Sequence, residues 1–411
     1  MTQTARSRCI VCEQNQVEMF LDLGATTLAN KFVTAEELGN REASYPLQVG
    51  FCTECAHVQL TVVVPPPEMF EHYLYISSMS DTLKQHLYHL SDCVVERLAL
   101  TANDLVVDVG SNDGTLLSGF KRHGVRILGV DPAENLAALA QKVGVETLTA
   151  FFGAETSAQI AGQYGRAKAI TATNVFPHIP MLADFVRGLD RLLTEDGTFI
   201  LEAHYLGDLL AAGAFDTVYH EHVSYWALTP MVRLFQRFGF EVTDVERLPV
   251  HHGQLRAWVR RRGFAVSEAV DAMLQAEKNM GMDQIETFRS FARQTMQLKE
   301  SLNQTVDTLL AQGKKIAGYG APAKGSTLLS FLEIGPDRLR YIADRSPLKQ
   351  GRFTPGTHIP VVATERLLED QPDYVLLLAW NFAEEIMAQQ AEYRRRGGKF
   401  IIPVPQVQIV E

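Results

Sequence analysis

The sequence predicts an α/β protein in three parts: a small cysteine-built N-terminal unit, then two doubly wound α/β units joined by a helical connector. Three observations carry that prediction. Two C-x-x-C pairs fall within the first 55 residues, among short apolar stretches and turns. From Leu105 onward, β-branched runs alternate with helical patterns. The same alternation resumes at Lys315 after a polar helical stretch. Strands separated by helices imply parallel sheets covered on both faces. The chain has 411 residues, which at about 100–200 residues per domain suggests two to four domains. The divisions expected are 1–66, 67–275 and 276–411.

The first unit closes at Thr61-Val-Val-Val64. Pro65-Pro66-Pro67 follows and reads as a linker, because proline continues neither a helix nor a central strand. Leu83, Leu87, Leu90 and Val94 recur at three- and four-residue spacing, so a helix is expected over about Asp81–Leu98. Leu105–Val109 is a buried strand, Leu116–Arg122 a helix, Arg126–Val130 a second strand and Pro132–Val143 a second helix. Ala169–Ala172 and Gly197–Leu201 continue the sheet. Val266–Gln312 is polar with few Gly or Pro and predicts one long helix or a helix pair. Lys315–Gly320, Arg340–Asp344, Tyr374–Ala379 and Lys399–Pro403 are strands of the last unit.

Composition excludes several classes. A net charge of −10 without a basic tract argues against a nucleic-acid binder. No apolar run reaches about 18 residues, so no membrane helix is expected. The start lacks the apolar core of a secretory signal, so a soluble cytoplasmic protein is expected, a monomer before an oligomer.

Of five cysteines, Cys9 and Cys12 form one pair and Cys52 and Cys55 another, with 39 residues between the pairs. In a reducing compartment this pattern favours metal over disulfides. Four thiolates complete the tetrahedron that Zn²⁺ accepts and leave no open position, so the zinc is expected to be structural. His57 is a competing ligand that a full cysteine set displaces. Cys93 is expected to be a buried packing residue.

Between the first strand and helix of the middle unit runs Asp108-Val-Gly110-Ser111-Asn112-Asp113-Gly114, and the next strand ends in Asp131-Pro132, with Asp131 21 residues beyond Gly110. Glycines let a ligand approach the backbone, and an acidic side chain at the end of the second strand suits ribose hydroxyls. A dinucleotide wants G-x-G-x-x-G to seat its pyrophosphate. The acidic loop here repels a pyrophosphate but suits the aminoacyl end of S-adenosylmethionine, with Asp113 near its charged end. Asn174, after a later strand, is expected to join the cofactor site.

Tyr219-His220-Glu221-His222-Val-Ser-Tyr225 gathers histidines, a glutamate and tyrosines in a short span. Such a group supplies a base near neutral pH, an orienting carboxylate and a phenol. A metal reading competes, but H-E-H lacks the H-E-x-x-H spacing that puts two histidines on one helical face. His178, in Asn174-Val-Phe-Pro-His178, follows a strand at the same sheet edge, where ligands of doubly wound folds gather.

Together, the C-x-x-C pairs, D-V-G-S-N-D-G, G-V-D-P-A, N-x-x-x-H, Y-x-E-H and the late G-Y-G-A-P-A-K-G closely resemble the family of sugar C-methyltransferases, over essentially the whole chain. The resemblance implies a zinc-binding N-domain, a Rossmann-like methyltransferase middle domain and a second Rossmann-like C-terminal domain that helps hold the substrate. It implies a nucleotide-linked 4-keto-6-deoxysugar, TDP-linked, as acceptor, in the biosynthesis of branched sugars. It gives His222 the role of general base, with Tyr219 and Glu221 beside it and His178 matching the histidine after the fourth strand. A tyrosine from Tyr73-Leu-Tyr75 is also implied, with Tyr73 and Tyr75 both candidates. Substrate contacts are expected from Tyr225, Tyr319, Lys324, Ser326, Lys349 and Arg352. Lys324 suits an anion at a helix start, while Lys349 and Arg352 are equally open to a structural role. Two other classes compete: a nicotinamide-dependent enzyme using the late glycine loop, and a non-catalytic zinc-containing binding protein.

Overall fold

The computed structural model describes residues 4–5, 8–70, 76–249 and 253–411. The N-terminal sheet is antiparallel, with Val17–Thr26, Tyr45–Cys52 and Val58–Leu60 in succession. Its fourth strand, Ser224–Tyr225, comes from the middle of the chain: Ser224 pairs with Gln59 and Tyr225 with Val58. The Y-x-E-H segment is therefore stitched into the cysteine-bearing unit by backbone hydrogen bonds.

The middle sheet has seven strands in the order Phe240–Leu248, Gln254–Arg261, Leu193–His204, Ala167–Thr173, Leu105–Val109, Arg126–Val130 and Thr147–Leu148. Leu105–Val109 is parallel to both its neighbours, whereas Gln254–Arg261 is antiparallel to both of its own. The last sheet runs Val361–Val362, Ile342–Ala343, Ile316–Tyr319, Tyr374–Leu377, Lys399–Ile402 and Gln408–Val410. Only the final pair is antiparallel. The α/β reading with a small N-terminal unit and two Rossmann-like units holds.

Local chemistry explains the helices. In Asp81–Leu98 the Ser80 hydroxyl accepts from Leu83 N at 3.3 Å, Asp81 faces the positive end and Arg97 the negative end. Its buried face is Leu83, Leu87, Leu90, Ser91 and Val94. Cys93 lies one position off that stripe, half-exposed, with its sulfur 3.5 Å from His89 Nε2. The expectation of a buried packing cysteine is thus corrected by helical phase. The polar stretch resolves into a helix pair, Glu268–Asn279 and Ile285–Ala311. Phe288, Phe291, Leu298, Leu302, Val306 and Leu309 line one side of the longer helix, each contributing about 1.5–3 kcal/mol if fully buried. The proline linker is corrected at its end: Pro67 opens the one-turn helix Pro67–Phe70, because the first helical position needs no N–H. No helix among the described residues is long and apolar enough to cross a membrane.

Candidate active site and zinc centre

The four cysteines meet although two strands separate the pairs. Their sulfurs all lie within 4.8 Å of one another, with Cys9–Cys55 and Cys12–Cys52 each at 3.5 Å. A tetrahedron with Zn–S bonds of about 2.3 Å has edges of about 3.8 Å, so this donor set fits zinc. His57 lies outside it, buried with its ring 4.8 Å from Trp226. Arg237 donates to Val11 O and Arg233 to Glu54 O, so both knuckles are tied to the end of helix Leu228–Gln236. These two arginines thus fasten the cysteine knuckles of the N-terminal unit onto the middle one.

The first glycine loop is shaped by its backbone. Gly110 has φ +67°, and a Cβ there would sit 2.2 Å from Val175 Cγ2. Gly110 N donates to Val130 O at 2.7 Å. Asp131 accepts from Asn112 N at 2.8 Å and Ala133 N at 2.9 Å, leaving each carboxylate oxygen further acceptor capacity. Pro132 lies between these partners, half-buried at the strand end. Asp108 is buried and accepts from the Thr171 hydroxyl at 2.7 Å; burial pushes its carboxyl up to about 7. Asn112 and Asp113 accept from Ser77 N and Ser78 N at 3.0 and 3.1 Å, so the segment leading into Asp81–Leu98 closes over this loop. Ser111 is buried against Gly129, and Gly114 caps helix Thr115–Arg122. Asn174, at φ +57°, accepts from Gln254 Nε2 at 2.9 Å.

The second cluster sits where all three units converge. His222 Nδ1 is 2.9 Å from Thr217 O, and a carbonyl only accepts, so Nδ1 carries the proton. Nε2 then takes the Tyr219 hydroxyl hydrogen at 2.9 Å. Burial, and then the rings of His178 and His204, hold His222 well below the ordinary imidazole value, so it is neutral near pH 7. The ring centres of His178 and His204 lie 5.1 and 5.7 Å away. His178 Nδ1 donates to Glu221 O at 2.7 Å, and burial pushes this ring down to about 4. The Glu221 carboxylate accepts from Asn30 Nδ2 at 2.7 Å. Tyr73 and Tyr75 lie outside the described residues.

Two lysines of the C-terminal unit flank this loop. Lys324 donates to Asn381 Oδ1, lies 4.5 Å over the Trp380 ring and is pushed by burial down to about 8. Trp380 Nε1 donates to buried Asp216 at 2.6 Å. Lys349 donates to Ala321 O at 2.7 Å, and Arg352 reaches Phe32 O at 3.4 Å. Burial lowers Lys349, against attraction from Asp344 and Glu221.

Three further expected contacts are buried, the Tyr225 ring 6.4 Å from that of His222 and Ser326 in the same helix as Lys324, Ala323–Leu332. Tyr225 is in the apolar core beneath the loop, Tyr319 is in the C-terminal core with its hydroxyl accepting from Gln390 at 3.3 Å, and Ser326 is buried.

Sequence reasoning missed Asn30 and His204, each set apart from any motif and recruited by folding. It also missed the buried group of Glu202, His86 and Arg256. There burial pushes the Glu202 carboxyl up, but His86 at 2.8 Å and Arg256 at 2.7 Å outweigh it and hold it low.

Comparison with known proteins places this geometry. Residues 9–70 match a zinc binding domain, 84–245 a methyltransferase domain and 249–405 a C-methyltransferase C-terminal domain. The C-methyltransferase NovU of Streptomyces niveus is 38% identical over 404 residues, covering 98% of this chain and 96% of that protein. A SAM-dependent methyltransferase of Anabaena variabilis is 18% identical, covering 42% of this chain and 83% of its own, with a TM-score of 0.34. A magnesium protoporphyrin IX methyltransferase of Synechocystis is 15% identical, covering 43% and 82%, also at 0.34. These two structural likenesses carry no weight in the assignment. The three domain matches and the full-length relative do: the chain belongs to the C-methyltransferase family, as an S-adenosylmethionine-dependent enzyme with a four-cysteine zinc site.

Proposed function

We propose that the enzyme methylates the carbon next to the ketone of a nucleotide-linked 4-keto-6-deoxysugar, with TDP as the nucleotide and His222 as the base. The observation that carries this reading is the Tyr219–His222 pair. A neutral imidazole, fixed through Nδ1, offers its Nε2 lone pair beside a phenol.

The saturated carbon beside a ketone becomes nucleophilic when its proton is removed to give an enolate. His222 Nε2 takes that proton, and the Tyr219 hydroxyl, released from Nε2, turns its hydrogen to the enolate oxygen. His178 donates through Nδ1, so its neutral ring presents Nε2 as an acceptor. Tyr219 is therefore the first oxyanion donor, with the His178 ring packed beside His222 to shape the same site. Bound at the acidic glycine loop, with Asp131 toward its ribose and Asp108 and Asp113 nearby, S-adenosylmethionine supplies the sulfonium methyl. The enolate carbon takes that methyl as the sulfur–carbon bond breaks, and His222 keeps the proton. Lys324 and Lys349 suit the diphosphate of the acceptor.

The test uses TDP-4-keto-6-deoxyglucose and methyl-labelled S-adenosylmethionine, read by product mass and by exchange of the proton next to the ketone in heavy water. His222→Ala is expected to lose about 100-fold or more in both, in the range typical of general-base catalysis. Full turnover by His222→Ala removes the assignment of the base, and no exchange in the wild-type enzyme removes the acceptor class.

A further inference from the structure

Glu221 is held by parts of the chain far apart in sequence. Its backbone carbonyl receives the Nδ1 proton of His178 at 2.7 Å. Its side chain receives the amide of Asn30, 191 residues away, at 2.7 Å. It also attracts the Lys349 ammonium of the C-terminal unit.

Asn30 belongs to none of the motifs that define the catalytic cluster, yet its loop is tightly held. Leu28, Ala29, Phe32 and Val33 around it are all buried. Val33 and Phe353 exchange two backbone hydrogen bonds at 3.1 and 2.9 Å. This wedges the loop between the catalytic loop and the C-terminal unit. An amide has two N–H donors and a carboxylate only accepts, so the contact has one sense. A donor of this kind favours the ionised carboxylate and restrains its rotation.

We propose that Asn30, supplied by the zinc-binding unit, is a positioning residue that aims Glu221 and, through the Glu221 backbone, His178. The inference rests on the proposed role of the Tyr219–His222 cluster. It gives the N-terminal unit a part in the chemistry beyond carrying zinc. Loss of one hydrogen bond to a charged group corresponds to about 10–100-fold in rate.

With zinc-loaded full-length enzyme, Asn30→Ala is expected to lower kcat by about 10–100-fold. Zinc content and S-adenosylmethionine affinity should be unchanged, and Asn30→Gln, which keeps the amide, should recover part of the rate. In the Glu221→Gln background Asn30→Ala should add less than about twofold, because coupled residues are not additive. Wild-type kcat for Asn30→Ala, or an equal loss in both backgrounds, overturns the proposal. A second measurement needs no acceptor. The Nδ1–H proton resonance of His178, assigned through His178→Gln, should move or broaden in Asn30→Ala. An unmoved resonance overturns the proposal by itself. Failure here while His222→Ala remains inactive removes Asn30 alone; activity of His222→Ala removes the underlying reading.

Discussion

The glycine loops of the middle and C-terminal units follow one backbone plan and differ in the side chains gathered around it. In the middle unit Gly110 N donates to Val130 O at 2.7 Å, and Asp131 receives the amides of Asn112 and Ala133 at 2.8 and 2.9 Å. In the C-terminal unit Gly320 N donates to Ala343 O at 2.8 Å, and Asp344 receives the amides of Ala321 and Ser346 at 2.6 and 2.7 Å. Both glycines have positive φ, +67° and +81°. The side chains around the turn then diverge. The first loop gathers Asp108, Asp113 and Asp131, whereas the second is flanked by Lys324 and Lys349. A shared turn says only that a ligand can come close to the backbone. In the proposed function, the charges beside it select a cationic donor in one place and an anionic substrate in the other.

Substituting the two glycines is the strongest way to break this comparison. Gly110→Ala combines positive φ with a Cβ 2.2 Å from Val175 Cγ2, so S-adenosylmethionine affinity should fall by about 100-fold or more. Gly320→Ala meets Ala379 Cβ at 2.8 Å and should raise the nucleotide-sugar KM about 10-fold while leaving the methyl-donor Kd within about twofold. Calorimetry with S-adenosylmethionine beside steady-state kinetics separates the two. Equal loss of methyl-donor binding in both variants would show that the loops are not functionally distinct.

A smaller effect concerns Lys324. Burial has lowered its ammonium to about 8, so it is charged below that pH and loses its proton as pH rises through it. The nucleotide-sugar KM should therefore climb above about pH 8, with S-adenosylmethionine affinity flat over the same range. Lys324→Arg should flatten the climb, since guanidinium stays charged. Lys324→Gln should raise KM about 10-fold below pH 8, equivalent to ~1.4 kcal/mol. A pH-independent KM in the wild-type enzyme would detach Lys324 from the anion.

The smallest expected difference is in salt. Between about 0.05 and 0.3 M salt the screening length shortens through about 10 Å. The nucleotide-sugar KM should rise about two- to threefold, while the methyl-donor Kd should change less.

How much of this was legible in the sequence depends on the range of the interactions. Helix Asp81–Leu98 and strands Leu105–Val109 and Arg126–Val130 were readable to the residue, because periodicity and capping are local signals. Strand Leu193–His204 extends well beyond the Gly197–Leu201 core expected of it: Leu193 pairs with Ala167 ahead of an irregularity and regular pairing resumes at Thr198, a break that no local alternation marks. Cys93 missed its face because it stands one residue off the helical stripe.

Spacing and residue type alone determined the cysteine quartet, the glycine turns and the chemical character of Tyr219-His220-Glu221-His222, because each resides within a few consecutive residues. Tertiary structure alone decided the tautomer of His222, through a hydrogen bond to Thr217 O, and the placement of Tyr225 and Tyr319 in apolar cores. It also decided that Ser224–Tyr225 extends the N-terminal sheet and that Asn30 meets Glu221. Those contacts join residues from about 5 to nearly 200 positions apart, and what they require is a mutual position in space that no local pattern encodes.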